Sequence, residues 1–325
     1  MAKPKNLNPK DVRFFSGSSN PVLAQAICDE LGVPLDTARL DRFPNDNPDF
    51  QLEVPVRGRE VFFIQSFSPT PRVDPYLVEL IWMLDIARSA NANNIHAIIP
   101  YFSYARSDKK DAPRISIGAR LVADLLKTAG ATHVMTMTLH SPQVHGFFSV
   151  PTDPITSRPA LRSYFKTHDL SETIVISPDM GQAKSAARFA HDLGDLPVAA
   201  GNKERIDART VRINGLFGDQ IKECKTALIY DDEISTGGTI SKISQYLIER
   251  GIENICLVCT HGVFVEGALK RLAAIPQVRE IVTTDTVFIP PEERVDKLHI
   301  VSVASYFADA IRLNFFGESL GSFFS

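Results

Sequence analysis

The sequence has no long hydrophobic run. No apolar stretch reaches the roughly 18 residues that a helix needs to cross a bilayer. The N-terminal segment MAKPKNLNPK is basic and polar, and no apolar stretch follows it as in a signal peptide. These absences argue against membrane-spanning and exported proteins, and we therefore expect a cytoplasmic protein.

An excess of charge of one sign is also absent, because 35 lysines and arginines face 38 acidic residues and the net charge is −3. Nothing in the overall charge indicates binding to nucleic acid or to a membrane surface, so a local basic cluster must meet any anionic substrate.

Cysteine is scarce as well, with four residues. Cys256 and Cys259 have CxxC spacing within the strand-like run ICLVC, where side chains three residues apart point to opposite faces. We predict buried free thiols there, not a metal site.

What the sequence does contain is a regular alternation of two patterns. Short apolar runs rich in β-branched and aromatic residues are typical of buried strands. We predict such strands at 60–66, 95–101, 133–139, 173–179, 226–232 and 254–260. Segments with apolar residues at helical spacing lie between them, at 75–90, 117–130 and 239–251. The alternation predicts an α/β protein with mainly parallel sheets flanked by helices.

One helix–strand unit occurs twice. LLKTAGATHVMTMTLH ends at His140 and YLIERGIENICLVCTH ends at His261, and in both a glycine precedes the final histidine by ten residues. We predict two tandem domains of the same fold, joined in the polar, proline-bearing segment 151–160.

The terminal segment 307–324 has five phenylalanines. We expect this tail to dock, either onto the N-terminal domain or onto a neighbouring subunit.

The segment ALIYDDEISTGGTIS, residues 227–241, carries the strongest functional pattern. It places Asp231 and Asp232 at the carboxyl end of a strand, where open α/β sheets bind ligands. The following STGGT lets several backbone N–H groups and the start of a helix face an anion such as phosphate. The aspartates repel phosphate, but they suit ribose hydroxyls or a Mg²⁺ ion. The pattern predicts a sugar-phosphate site, and it is neither a Walker A motif nor a dinucleotide fingerprint.

DDEISTGGT resembles the phosphoribosyl-pyrophosphate loop of the phosphoribosyltransferase-like fold. Other segments follow in the order expected for the ribose-phosphate pyrophosphokinase family, which makes the chain similar to that family from about residue 13 to 312. These segments are 15–32, 56–66, 100–110, 138–148, 177–181 and 202–207. The resemblance implies two tandem phosphoribosyltransferase-like domains, 11–152 and 153–312, with a docked tail at 313–325. It also implies a homo-oligomer, such as a hexamer or another assembly of dimers, and Mg²⁺-dependent transfer of a diphosphoryl group from ATP to ribose 5-phosphate.

The resemblance also assigns roles to individual residues. Catalysis falls to Lys203 and Arg205, and Mg²⁺ binding to His140 and Asp179. The expected ribose 5-phosphate residues are Asp231, Asp232, Ser235, Thr236, Gly237, Gly238 and Thr239. The expected ATP residues are Phe43, Asn45, Asn47, Arg106, Ser107 and Asp108. His261 matches no role in the family, and we expect it to be structural.

Several positions depart from the family pattern. Asn45 and Asn47 stand where acidic residues are common, and asparagine donates hydrogen bonds as well as accepting them. Ser107 replaces a glutamine, Thr138 an aspartate and Ser235 an acidic residue, while Glu204 stands where a basic residue is common. We therefore expect a divergent member whose nucleotide donor and allosteric behaviour do not follow from the family.

Two other functions remain open at this point. One is a phosphoribosyltransferase of the same fold, which would consume the product. The other is a non-catalytic protein that binds synthetase subunits and regulates them.

Overall fold

The structure is a computed structural model that describes residues 6–205, 211–217 and 220–324, without the side chains of 203–205, 211–214, 220 and 222. The chain forms two compact units. The first runs to Thr156 and also includes Thr286–Phe288 and the segment from Ser302; the second comprises Ser157–Asp285 and Ile289–Val301. The predicted domains, 11–152 and 153–312 with a tail at 313–325, stay a prediction, while the compact units change between Thr156 and Ser157 and again between Val301 and Ser302.

The described strands are β1 (Val12–Ser16), β2 (Ala38–Arg42), β3 (Pro48–Leu52), β4 (Glu60–Ile64), β5 (Asn94–Ile99), β6 (His133–Met137), β7 (Thr152–Ile155), β8 (Thr173–Ser177), β9 (Val198–Arg205), β10 (Val211–Phe217), β11 (Thr226–Ile234), β12 (Asn254–Gly262), β13 (Val278–Thr284) and β14 (Leu298–Val301). The described helices are α1 (Pro21–Leu31), α2 (Val73–Ser89), α3 (Gly118–Ala129), α4 (Arg158–Phe165), α5 (Ala183–Asp192), α6 (Gly238–Ile248), α7 (Ala268–Ala273) and α8 (Ala304–Phe315). None of the described helices combines the length and apolarity needed to cross a bilayer.

The first unit is built on a parallel sheet. Its described strands follow the order β1-β4-β5-β6-β7, and β2 pairs with β3 as a separate antiparallel hairpin. One face packs under α2 and α3 around side chains such as Phe63 and Leu80. Helix α8 packs against α1. The tail continues beyond α8, and the backbone N–H of Thr156 donates to the carbonyl of Phe323 at 2.9 Å.

The second unit has a larger sheet, with the described order β10-β9-β8-β11-β12-β13-β14. All neighbours are parallel except β9 and β10. Two apolar clusters cover its two faces. Cys259 belongs to one cluster and Cys256 to the other, and both thiols are buried and free, which confirms the sequence prediction. Burial raises the pKa of Cys259 to about 12.

The apolar runs correctly located six strands and the helical patterns three helices, and the α/β class is confirmed. The segment 151–160, in which the sequence predicted the joint between the domains, contains β7 and the start of α4, and the compact units change within it, between Thr156 and Ser157. Pro154 hides this strand from pattern analysis, because proline lacks a backbone donor and is tolerated mainly at sheet edges. β7 lies at the edge of its sheet. Strand β11 extends to Ile234, two residues beyond the predicted strand 226–232, so Asp231 and Asp232 lie in its last four residues.

Candidate active site

Three carboxylates meet at the carboxyl end of the second sheet. Ile229 on β11 pairs with Ile176 on the parallel strand β8. Asp232 and Asp179 each lie three residues beyond those partners, so the register brings them to the same edge. Asp232 is 5% exposed, and its backbone N–H donates to Oδ1 of Asp231 at 2.9 Å.

The electrostatics of this acid cluster favour a ligand that donates hydrogen bonds or carries positive charge. The pKa of Asp231 is raised well above its ordinary value, first by burial and then by the neighbouring carboxylates of Asp232 and Asp179. Crowded, desolvated carboxylates disfavour their own ionisation. Hydroxyl donors or a cation bound here would relieve that repulsion.

The loop after β11 has the shape of an anion cradle. Gly237 adopts a left-handed φ of 70° and precedes the first residue of α6, Gly238. A side chain at Gly237 would meet Leu272 at 3.0 Å, whereas one at Gly238 would approach only Thr236, at 3.9 Å. Within the part of the chain that the structure describes, the N–H groups of Thr236, Gly237 and Gly238 donate to no other residue. N–H groups at a helix start suit a phosphate.

A cavity of about 400 Å³ in the first unit brings together three of the predicted ATP residues. It lies at the short helical turn Ser103–Arg106, which follows β5. Arg106, Ser107 and Asp108 all line it, together with Lys109. Arg106 and Lys109 bring two cations to this cavity, beside the carboxylates of Asp108 and Asp111.

Ser107 has a structural function that the sequence did not indicate. Its hydroxyl oxygen accepts the N–H of Gly118 at 3.0 Å, and its carbonyl accepts the N–H of Ala119 at 3.1 Å. These are the first two residues of α3. Ser107 therefore ties the cavity wall to the start of this helix.

The other predicted ATP residues lie in the turn of the β2–β3 hairpin. The backbone N–H of Phe43 donates to the carbonyl of Asn47 at 2.9 Å, which closes the turn, and Asp46 adopts a left-handed φ of 66°. Oδ1 of Asn45 accepts the N–H of Asn47 at 3.3 Å. The Phe43 ring is 50% exposed, so it is available to stack on a base.

The two predicted metal ligands belong to different units. His140 follows β6 in the first unit, and Asp179 follows β8 in the second. Oδ1 of Asp179 accepts the N–H of Gly181 at 2.9 Å. Among the described residues, no group of three or more His, Cys, Asp or Glu is placed to hold a metal ion. The carboxylates at the edge of the second sheet nevertheless have the hard oxygen chemistry that Mg²⁺ prefers.

The predicted catalytic residues Lys203 and Arg205 lie on β9. Their backbones pair with Ile213 and Val211 of β10. Their side chains lie outside the described part of the structure, so their roles stay predictions.

Comparison with known proteins identifies the family. Residues 12–130 match the family model described as the N-terminal domain of ribose phosphate pyrophosphokinase, and residues 214–325 match the phosphoribosyl synthetase-associated domain. A Streptomyces coelicolor protein is 49% identical over 97% of this chain and 98% of its own length. The ribose-phosphate pyrophosphokinase of Deinococcus radiodurans is 45% identical over 96% of this chain and 97% of its own. The chain belongs to the ribose-phosphate pyrophosphokinase family.

A solved structure agrees with this assignment. The crystal structure of phosphoribosylpyrophosphate synthetase from Mycobacterium smegmatis matches with a TM-score of 0.87 and 35% identity, over 94% of this chain and 99% of that chain. The resemblance and the phosphoribosyltransferase-like fold predicted from the motifs are therefore confirmed.

Two residues that contact the cradle carry no signal in the sequence. Arg271 donates to the carbonyl of Thr236 at 2.9 Å, and Leu272 lies against Gly237. Both residues belong to α7, about 35 positions further along the chain. No spacing rule connects positions so far apart, because only the packing of α7 brings them to the loop.

Proposed function

We propose that this protein transfers the diphosphoryl group of ATP to the anomeric hydroxyl of ribose 5-phosphate, giving phosphoribosyl pyrophosphate and AMP. The observation that carries the proposal is the phosphate cradle next to a buried acid pair, in a chain that belongs to the ribose-phosphate pyrophosphokinase family. A sugar phosphate has the matching chemistry, with an anion at one end and hydroxyl groups at the other.

The cradle would bind the 5′-phosphate. The N–H groups of Thr236, Gly237 and Gly238 supply donors, and the start of α6 supplies a positive dipole end. Hydroxyls of Ser235 and Thr239 add to these donors. Asp231 and Asp232 would accept hydrogen bonds from the ribose hydroxyls, which relieves the repulsion within the acid pair.

ATP would bind through residues of the first unit. The cavity residues Arg106 and Asp108 would contact the nucleotide, while Ser107 holds the cavity wall in place. The exposed ring of Phe43 would stack on the base, and Asn45 and Asn47 would contact its edge.

Mg²⁺ is the cofactor that we propose, with His140 and Asp179 as its protein ligands. Bound there, the ion would neutralise charge on the phosphate oxygens of ATP. Asp179 already lies among carboxylates whose mutual repulsion a cation would reduce.

The reaction would be a direct in-line displacement. The anomeric oxygen of ribose 5-phosphate forms a bond to the β-phosphorus as the bond between that phosphorus and the α,β-bridging oxygen breaks, and AMP departs with this oxygen. The hydroxyl proton passes to solvent. Lys203 and Arg205 would neutralise the charge that develops on the transferring group, so positioning and charge neutralisation supply most of the acceleration.

We also propose that the enzyme acts in the cytoplasm and as a homo-oligomer, such as a hexamer or another assembly of dimers. Exposed apolar side chains on α2 and α3, including Trp82 and Leu121, support the second proposal.

The test is an assay with purified protein, Mg²⁺, ribose 5-phosphate and ATP, in which AMP and phosphoribosyl pyrophosphate are both measured. We expect the two products in equal amounts, and neither when ribose 5-phosphate is omitted. Absence of both products from the complete mixture would refute the proposal. Repeating the assay with ADP, GTP and CTP tests whether Asn45 and Asn47 alter the donor.

Replacing Lys203 with alanine should lower kcat by at least ~10²-fold, as loss of a transition-state charge contact does. Lys225→Ala is the matched control, because Lys225 pairs with Glu172 at 3.0 Å at the amino end of β11, the opposite edge of the same sheet. Near-normal turnover in Lys203→Ala would remove Lys203 from the mechanism.

A further inference from the structure

An arginine of helix α7 contacts the backbone of the phosphate cradle. Nη2 of Arg271 donates to the carbonyl oxygen of Thr236 at 2.9 Å. Nη1 of the same guanidinium donates to the carbonyl of Glu266. One side chain therefore joins the cradle to the loop before α7, in which Glu266 and Gly267 both adopt left-handed φ angles.

This contact fixes the direction of one cradle donor. In a trans peptide plane the C=O of Thr236 and the N–H of Gly237 point in opposite directions. The Thr236 carbonyl points toward Arg271, because it accepts a hydrogen bond from that side chain. The N–H of Gly237 therefore points to the opposite side of the loop, away from Arg271. Within the described chain that N–H has no acceptor, so it is available to a ligand.

The next residue of α7, Leu272, leaves little room for a side chain at position 237. Leu272 lies 3.0 Å from the position that a Gly237 side chain would occupy. Gly237 itself is free to rotate, since glycine populates both left- and right-handed φ readily. Without an external contact the peptide between Thr236 and Gly237 would sample both orientations, and binding a phosphate would require ordering it.

We propose that Arg271 is a positioning residue for ribose 5-phosphate, which holds the Thr236–Gly237 peptide with its N–H facing the sugar phosphate. Both of its terminal nitrogens donate to protein carbonyls, so it acts through the loop and does not need to touch the ligand. The inference rests on the proposed function, because it assumes that the cradle binds this phosphate.

The test compares Arg271→Met, Arg271→Lys and a matched control, Lys270→Met, which removes an exposed cation from the adjacent position of the same helix. Steady-state kinetics, thermal melting and calorimetric titration with ribose 5-phosphate are measured for each protein. For Arg271→Met we expect KM and Kd for ribose 5-phosphate to rise about tenfold to a hundredfold, the range for loss of charge-assisted hydrogen bonds. We expect kcat, KM for ATP and Tm to stay close to wild type.

Arg271→Lys separates geometry from charge. Lysine keeps the positive charge but lacks the planar fork that reaches two carbonyls at once. We expect it to lose most of the affinity that Arg271→Met loses. Full rescue by lysine, or an equal loss in Lys270→Met, would show that only local charge matters and would overturn the positioning role.

The remaining outcomes are also decisive. Wild-type affinity in Arg271→Met would refute the inference and leave the proposed function intact. A lower Tm with a parallel rise in KM for both substrates would show a general structural role instead. If wild-type protein failed to bind ribose 5-phosphate in the calorimeter, both the proposed function and the inference would fall.

Discussion

At the scale of single residues, the two adjacent glycines of the cradle are used differently. Gly237 needs its left-handed φ of 70°, whereas Gly238 has no positive φ and begins α6. A side chain at Gly237 would press on Leu272, while one at Gly238 meets nothing closer than 3.9 Å. The absence of a side chain at Gly238 is therefore not required by the fold, and we attribute it to the approach of a ligand.

We predict that Gly238→Ala leaves stability unchanged or slightly raised and weakens ribose 5-phosphate binding at least ~10-fold. A helix-compatible alanine lowers the entropy of the unfolded chain, but its methyl group intrudes where the phosphate meets the backbone. Urea unfolding and calorimetric titration measure the two effects separately.

Gly237→Ala is the matched comparison. It should lower the free energy of unfolding by roughly 1–2 kcal/mol, because an L-residue is strained in this backbone region. If Gly238→Ala bound the sugar phosphate as tightly as wild type, the cradle would not be its site.

At the scale of elements, Ser107 stabilises the start of a helix that lies eleven residues further along the chain. The N–H groups at a helix start lack intrahelical acceptors, and Ser107 supplies two of them for Gly118 and Ala119. Only the hydroxyl interaction depends on the identity of this side chain.

Ser107→Ala should therefore lower the free energy of unfolding by about 1 kcal/mol, the usual effect of losing a capping hydroxyl. Ser116→Ala, which removes an exposed hydroxyl two residues before α3, is the control and should be close to neutral. Equal urea midpoints for Ser107→Ala and wild type would show that the hydroxyl adds nothing to the helix.

A chain of four titratable side chains crosses the first sheet. Glu60 bonds Nε2 of His96 at 2.7 Å, Nδ1 of His96 faces Nδ1 of His133 at 3.1 Å, and Nε2 of His133 bonds Asp153 at 2.8 Å. Both imidazoles are buried, and the Phe62 ring stacks on His96. Since the two Nδ1 atoms face each other, one must donate and the other accept.

This network should make stability depend on pH. Burial lowers the pKa of His96 below its ordinary value of 6.5, and the hydrogen bond from His96 lowers the pKa of Glu60 below 4.5. In both cases the unfolded chain binds more protons than the folded one, so stability is lost as pH falls. We expect the urea midpoint to drop from pH 7 to pH 5 through His96, and to drop further below pH 5 through Glu60.

His96→Gln should flatten the upper part of this pH profile, because glutamine does not titrate. The control is His191→Gln, since the exposed His191 bonds Asp195 at 2.5 Å and its pKa is raised by that contact. A raised pKa contributes stability that is lost as pH rises, so this variant should leave the acid-side drop in place. A profile for His96→Gln that matched wild type would rule out His96 as the titrating group.

At the scale of the whole molecule, the first unit leaves an apolar surface exposed. Helices α2 and α3 pack together, and Trp82 on α2 remains 43% exposed while Leu121 on α3 remains 45% exposed. Val78 and Leu125 are each one helical turn from these residues and are also exposed. Adjacent exposed apolar side chains of this kind mark association surfaces.

We predict that Trp82→Glu lowers the mass measured by light scattering on a size-exclusion column, because it places a charge in this surface. Val22→Glu, which charges an apolar position on α1 that is 62% exposed, is the control and should keep the wild-type mass. An unchanged mass for Trp82→Glu would exclude this face from the assembly.

Much of the fold followed from local sequence, because a buried strand and an amphipathic helix each show their burial within a dozen residues. The apolar run before Asp231 predicted β11, and the following glycines predicted the turn and the start of α6. The same stretch predicted an anion site, since the cradle is built from consecutive backbone groups.

What the tertiary structure alone decided concerns groups that are distant in the chain. The register of β8 with β11 places Asp179 beside the acid pair, and the packing of α7 brings Arg271 to Thr236. Likewise, pairing at the sheet edge makes a strand of the proline-bearing segment at Thr152–Ile155. Sequence patterns report how each segment is buried, but the direction of a carbonyl or the spacing of two carboxylates depends on which segments pack together.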